Sequence, residues 1–148
     1  MRRISDIPDS EDAKIMREFP DGTKLLTEPW IELKDSEAAT YSRYRVPSDR
    51  TYWVKTSENI VFEFGEGSRS ENKNKAGAMA ILWYRSGGFE MSESPSMIPV
   101  EIAAMGKPAM AAYLDVVHST NREKIGEMLE ISKGTVEQYI SKVRRGHR

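Results

Sequence analysis

Cysteine is absent from the 148 residues, which excludes disulfide cross-links and thiolate metal ligands together. Histidine is almost absent: His118 and His147 are the only two, and neither lies in a recognisable catalytic motif. With so few bases, nucleophilic catalysis of the Ser-His-Asp kind has little to draw on, and a transition-metal site has too few ligands. A helix-terminal histidine such as His118 more often complements the helix dipole. No apolar run approaches the roughly 20 residues needed to cross a bilayer, and the opening MRRISDIPDSED lacks the apolar stretch of a secretory signal. A location in the cytoplasm, away from membranes, is the expectation. A phosphate-cradling loop is missing too, since GEGSRSEN (65–72) lacks the Gly-Lys-Ser/Thr ending and is not expected to join a strand to a helix. The carboxylates are plentiful without informative spacing. These absences predict a protein that is not an enzyme, with no metal and no cofactor.

What is present is an ordinary globular composition, 39% hydrophobic and 30% charged, in a length that holds one medium domain or a small domain with a helical module. The net charge of −1 conceals an asymmetry. Residues 119–148 carry seven Lys or Arg against four Glu, a net +3, which leaves 15 against 19, a net −4, for residues 1–118. Basic charge gathered at one end is what phosphate binding requires, although basic tails also serve solubility alone.

The strongest pattern lies in that basic end, at Thr120 to Val143. Thr120 followed by Glu123 reads as a capping box, and Ile125, Met128 and Leu129 follow at helical spacing. Ser132 is placed to cap a second helix by accepting from the N–H groups of Gly134 and Thr135. That helix carries Val136, Tyr139, Ile140 and Val143 on one face. The segment IGEMLEISKGTVEQYI resembles the helix-turn-helix of transcriptional regulators, in particular the LuxR-type and sigma-factor region-four variants. The likeness runs through Ile125, Gly126, Leu129, Ile131, Ser132, Thr135, Val136 and Tyr139, and covers about the last quarter of the chain. Two positions depart from the family pattern: Gly126 stands where a small Ala is usual, and Glu130 where the turn usually has Gly. A left-handed turn residue other than Gly costs roughly 1–2 kcal/mol, so Glu130 bears directly on how the turn is built.

The resemblance implies a duplex-DNA-binding protein whose helix 133–146 lies in the major groove. On the wheel of that helix, the face opposite the apolar stripe holds Gly134, Gln138, Ser141 and Arg145, flanked by Glu137 and Lys142. Gln138 is a candidate adenine reader, and Glu137 could accept from a cytosine amine. Gly134 would let the helix start approach the DNA backbone. Lys133, Thr135, Lys142 and Arg145, with Asn121 and Arg122 on the preceding helix, are candidate phosphate contacts. A homodimer follows from the two half-sites that operators usually offer. Alternative readings are a protein-interaction module of the transcription machinery and a DNA-targeted phage or plasmid maintenance factor.

The rest of the chain predicts an α+β fold: N-terminal antiparallel strands with a leading helix, then a C-terminal trihelical unit. A helix is expected over 9–19, with Asp12, Ile15, Met16 and Phe19 at helical spacing, ended by Pro20-Asp21-Gly22. Strands are expected in 23–34, 38–46, 51–56 and 59–64, with Tyr52 to Phe64 as a hairpin. Gly65 to Gly77 is expected to be a mobile loop, with Arg69, Lys73 and Lys75 available to nucleic acid. AMAILWYR (78–85) reads as either a buried strand or a short helix, its length and the Trp83-Tyr84 pair favouring the strand, and is ended by Gly87-Gly88. Residues 1–90 thus form a unit of unassigned role, MSESPS and its surroundings (91–98) a linker, and 99–148 the DNA-binding unit. Within the last, Pro99 to Met105 is expected to be a short helix closed by Gly106. Pro108 would open another at its first position, with Met110, Tyr113, Leu114 and Val117 facing inward.

Overall fold

The computed structural model describes residues 1–7, 13–29 and 50–146. Five strands, β1 (Arg2–Ile4), β2 (Lys14–Glu18), β3 (Lys24–Thr27), β4 (Tyr52–Lys55) and β5 (Val61–Phe64), form an antiparallel sheet in the order β1-β5-β4-β3-β2. Five helices follow: α1 (Arg69–Ser86), α2 (Val100–Ala103), α3 (Lys107–His118), α4 (Arg122–Leu129) and α5 (Lys133–Arg144). The α+β class holds, with the strands first and the helices after. The second expected strand (38–46), the end of the first (30–34) and the first residues of the expected helix (9–12) lie outside the described residues.

The alternation of side chains along each strand explains the layering. Leu25, Tyr52, Val54, Phe62 and Phe64 point to one face, where α1 covers them. Leu26, Trp53 and Val61 point to the other and pack with Ile4 of β1, Ile7 just after it and Ala13 just before β2. The Tyr52 to Phe64 hairpin forms as its sequence predicts. Its turn is held by Thr56, whose hydroxyl accepts from the N–H groups of Glu58 and Ile60, and by Asn59 in the left-handed region at φ 64°.

Three expectations are overturned. Lys14–Glu18 is an edge strand and not the heart of a helix. The helical spacing of Ile15, Met16 and Phe19 does not serve burial: Ile15 and Met16 are exposed, and only Phe19 enters the core. Pairing with β3 satisfies the backbone instead. Pro20-Asp21-Gly22 is a turn as expected, but it closes the β2–β3 hairpin, with the Asp21 carboxylate accepting from the N–H and hydroxyl of Thr23.

The expected loop 65–77 and strand 78–85 are together one helix of 18 residues, α1. GEGSRSEN therefore does join a strand to a helix. Ser68 caps that helix by accepting from the N–H of Glu71, and buried Asn72 ties the entry down: its amide donates to the carbonyls of Arg50 and Gly67 and accepts from the N–H of Gly67. The second half is apolar all round because it is sandwiched, with the sheet on one side and α3 and α5 on the other. Met79, Ala80, Ile81, Leu82 and Trp83 are all buried. Gly87, left-handed at φ 80°, ends it where the sequence indicated.

A single apolar cluster runs from the inner sheet face through α1 into α3, α4 and α5. Residues 91–96 are attached to it. The Ser92 N–H donates to the Tyr113 hydroxyl at 2.9 Å, and Ser92 Oγ lies 2.8 Å from that hydroxyl and 3.1 Å from His118 Nε2. Helix α2 is shorter than expected, with Pro99 as its N-cap, and Pro108 occupies the second helical position of α3 rather than the first.

Candidate nucleic-acid interface

Helices α4 and α5 meet at a turn whose geometry follows from two residues. Glu130 ends α4 in the left-handed conformation, φ 57° and ψ 47°, with its N–H bonded to the Gly126 carbonyl. The Ile131 N–H bonds to the same carbonyl at 2.9 Å. The chain folds back so tightly that a Cβ on Gly126 would sit 2.7 Å from the Ile131 carbonyl oxygen. Gly126 is thus the residue that permits the turn, and Glu130 accepts the backbone strain it imposes.

The caps are local. Asn121, not Thr120, caps α4, its side-chain oxygen accepting from the Lys124 N–H at 2.8 Å; the expected Thr120–Glu123 capping box is not what starts this helix. Ser132 caps α5 by accepting from the Thr135 N–H, and the two hydroxyls lie 2.8 Å apart. Between the helices Ile125 and Leu129 meet Val136, Ile140 and Val143, all buried, against α3.

Burying that stripe turns the opposite face outward. Lys133, Gly134, Glu137, Gln138, Lys142 and Arg145 are exposed, and Thr135 and Ser141 are half-buried. Gly134 has open space around it, with no atom within 4 Å of where a side chain would begin. Arg145 follows the last helical residue as the C-cap, so α5 ends two residues earlier than expected.

The two candidates on α4 are otherwise engaged. Asn121 is exposed but holds the helix start, and Arg122 is paired with the buried carboxylate of Asp115 on α3. Arg122 therefore works as a brace between α3 and α4. The exposed charges are of mixed sign: Lys133 lies 3.9 Å from Glu123 and Lys124 lies 3.7 Å from Glu127. Exposed pairs of this kind contribute little to stability.

The structure also joins to this surface residues that are distant in sequence. Lys75 Nζ, on α1, donates to the Ser119 hydroxyl at 3.4 Å, so the polar first turns of α1 lie beside the connection into α4. Charge alone pointed to Lys75; its position depended on α1 being a helix.

His118 keeps its pKa below the usual 6.5, because partial burial disfavours the imidazolium. Its ring packs edge-on against Tyr113, at 5.6 Å between centroids. Among the described residues no group of His, Asp or Glu is arranged to hold a metal ion, and no helix is long and apolar enough to cross a membrane. Compared with known proteins, the chain matches no family model, no curated protein and no solved structure.

Proposed function

We propose that this protein binds duplex DNA in a sequence-specific manner as a transcriptional regulator, with α3, α4 and α5 as a trihelical helix-turn-helix unit and α5 in the major groove. The observation that carries the reading is the α4–α5 turn. Left-handed Glu130 and side-chain-free Gly126 bring the helices together so that a continuous polar face of α5 points outward. The resemblance of IGEMLEISKGTVEQYI to LuxR-type and sigma region-four modules and the net +3 of residues 119–148 support it.

In this arrangement the first half of α5 meets base edges, Gln138 as the reader of adenine and Glu137 of cytosine. Lys133, Thr135, Lys142 and Arg145 hold phosphates, and Lys75 and Lys124 extend that contact toward α1 and α4. Arg122 is reassigned from phosphate contact to bracing. A homodimer places two such helices on successive half-sites.

The test is a set of binding titrations on selected and random duplexes at several salt concentrations. Gln138→Ala should lose roughly 1–3 kcal/mol on the preferred site and little on random duplex. Arg145→Ala should weaken both alike and flatten the dependence of log affinity on log salt by about one unit. If neither substitution alters DNA binding, α5 is not the reading helix, and a protein partner in the transcription machinery becomes the better reading of the same surface.

A further inference from the structure

Val100 and Met97 are 77% and 65% exposed, more than any other large hydrophobic side chain among the described residues. The exposure of Val100 follows from how α2 is seated. Ile102 is fully buried, with α2 packed on α3 and α1, so the opposite side of this single turn, Val100 with Ala103 and Ala104, is turned to water. Met97 lies in the segment leading into that turn. Apolar surface gathered in this way marks a contact surface. Met105 and Pro108, which follow the stripe in the chain, line a half-open cavity of about 630 Å³ with Tyr84 and Arg85 of α1. These four are only partly covered, whereas Ile81 and Val143 at the same cavity are buried. Arg85 donates to the Gly146 carbonyl. A projecting apolar stripe and an apolar hollow thus adjoin one another.

One charge of each sign flanks this surface. Glu101 is exposed in the first turn of α2, and Lys107 is exposed as the first residue of α3. Among the described residues neither stands in an ion pair. Helix α3 starts from Gly106 with no side-chain cap and no acidic residue in its first turn. Lys107 therefore adds a cation where the helix dipole is already positive. That end is complementary to a carboxylate, and Glu101 of the same chain is not paired with it.

We propose that a second copy of this chain docks on this face, forming a twofold dimer. In a twofold contact each residue that touches a second is touched by that second in return. An axis passing between α2 and the start of α3 sets Glu101 of each copy against Lys107 of the other. It also seats each Val100 stripe at the mouth of the other copy's cavity. A surface with one acid and one base beside its apolar part complements a rotated copy of itself, whereas a partner of uniform charge would meet repulsion at one end. The DNA reading calls for a dimer without locating its contact, and this face lies at the far end of α5, where Val143 reaches the cavity.

Sedimentation equilibrium of the full chain without DNA tests the dimer separately from the reading of α5. The mass should rise from that of one chain toward that of two between about 1 μM and 1 mM. Val100→Glu should weaken association at least about tenfold, since the change enters the contact twice and puts a charge on apolar surface. Glu101→Lys alone and Lys107→Glu alone should each weaken it by about tenfold, because each sets like charges together. An equimolar mixture of those two variants should recover the parent's association as a heterodimer, since both crossings then join opposite charges. Only a twofold pairing of these two positions gives that recovery. All three substitutions are on exposed side chains, and an unchanged helical melt, taken where the parent is monomeric, shows each fold intact. A monomer up to about 1 mM overturns the proposal and leaves the face to a different protein. A dimer that Val100→Glu leaves unweakened, or single charge variants that the mixture does not restore, overturn the contact assigned here.

Discussion

At the scale of single residues, two positions in the α4–α5 turn reverse the usual rules of helix propensity. Replacing a helical Gly by Ala ordinarily stabilises by up to about 1 kcal/mol. At Gly126 the added methyl would meet the Ile131 carbonyl oxygen at 2.7 Å, inside any tolerable contact. Gly126→Ala should therefore destabilise, by roughly 1–3 kcal/mol, the range seen for overpacking. Glu130 is the mirror case. With φ at 57° it already stands where Gly is preferred, so Glu130→Gly should raise stability by up to about 1 kcal/mol, although in a helix interior the same change would lower it. Thermal melts of the two single variants, read by helical circular dichroism, check both; a lower melting temperature for Glu130→Gly would show that the turn is held by something other than its backbone conformation.

His118 makes a prediction of the same scale in pH. Its folded pKa lies below the unfolded value of 6.5, so in the window just beneath 6.5 the unfolded chain binds the proton more readily. This contribution to stability is complete above that window and is lost as pH falls through it. The melting temperature should decline between neutral pH and about pH 5, and His118→Gln should make that part of the decline shallower. An identical profile in the variant would place the titration elsewhere.

At the scale of elements, α5 separates what a helix needs from what a partner needs. Gly134 sits in its first turn with empty space around it, so nothing in the fold requires the absence of a side chain there. Gly134→Ala should stabilise the helix by up to about 1 kcal/mol. If α5 brings its N-terminus against the DNA backbone, the same methyl should weaken duplex binding severalfold. A variant that melts higher and binds as well as the parent would mean that the helix start stands clear of the DNA. Helix α1 teaches the opposite lesson. Its first turns are polar and its remainder apolar all round, so no helical stripe exists to be read, and the two halves suggest a loop and a strand. The helix forms because Ser68 and Asn72 anchor its start and the sheet on one side and α3 and α5 on the other bury its second half as far as Trp83.

At the scale of the whole molecule, α1 is the element shared by the sheet and by α3 and α5. Without residues 1–98, the side of α3 and α5 that rests on α1 would meet water. An isolated 99–148 segment should therefore show a broader, less cooperative melt than the full chain, with Ile140 and Val143 losing part of their cover. Residues 91–96 are held by Ser92 to Tyr113, and Tyr113→Phe should loosen them without unfolding α3, visible as faster amide exchange at Ser92.

The sequence by itself determined what depends on neighbours in the chain. The hairpin between Tyr52 and Phe64, the Ser132 cap, the Pro20-Asp21-Gly22 turn, the end at Gly87 and the apolar stripe of α5 are all set by residues within a few positions of one another. The outward face of α5, with Gln138 and Arg145, followed from that stripe because a buried face fixes its opposite. What only the tertiary structure decided depends on partners far along the chain. Lys14–Glu18 is a strand because β3 is there to pair with it, against its own helical spacing. Arg122 is a brace because α3 brings Asp115 to it. Burial rewards a residue for what surrounds it in space, and a local pattern cannot record which distant segment will supply the surroundings.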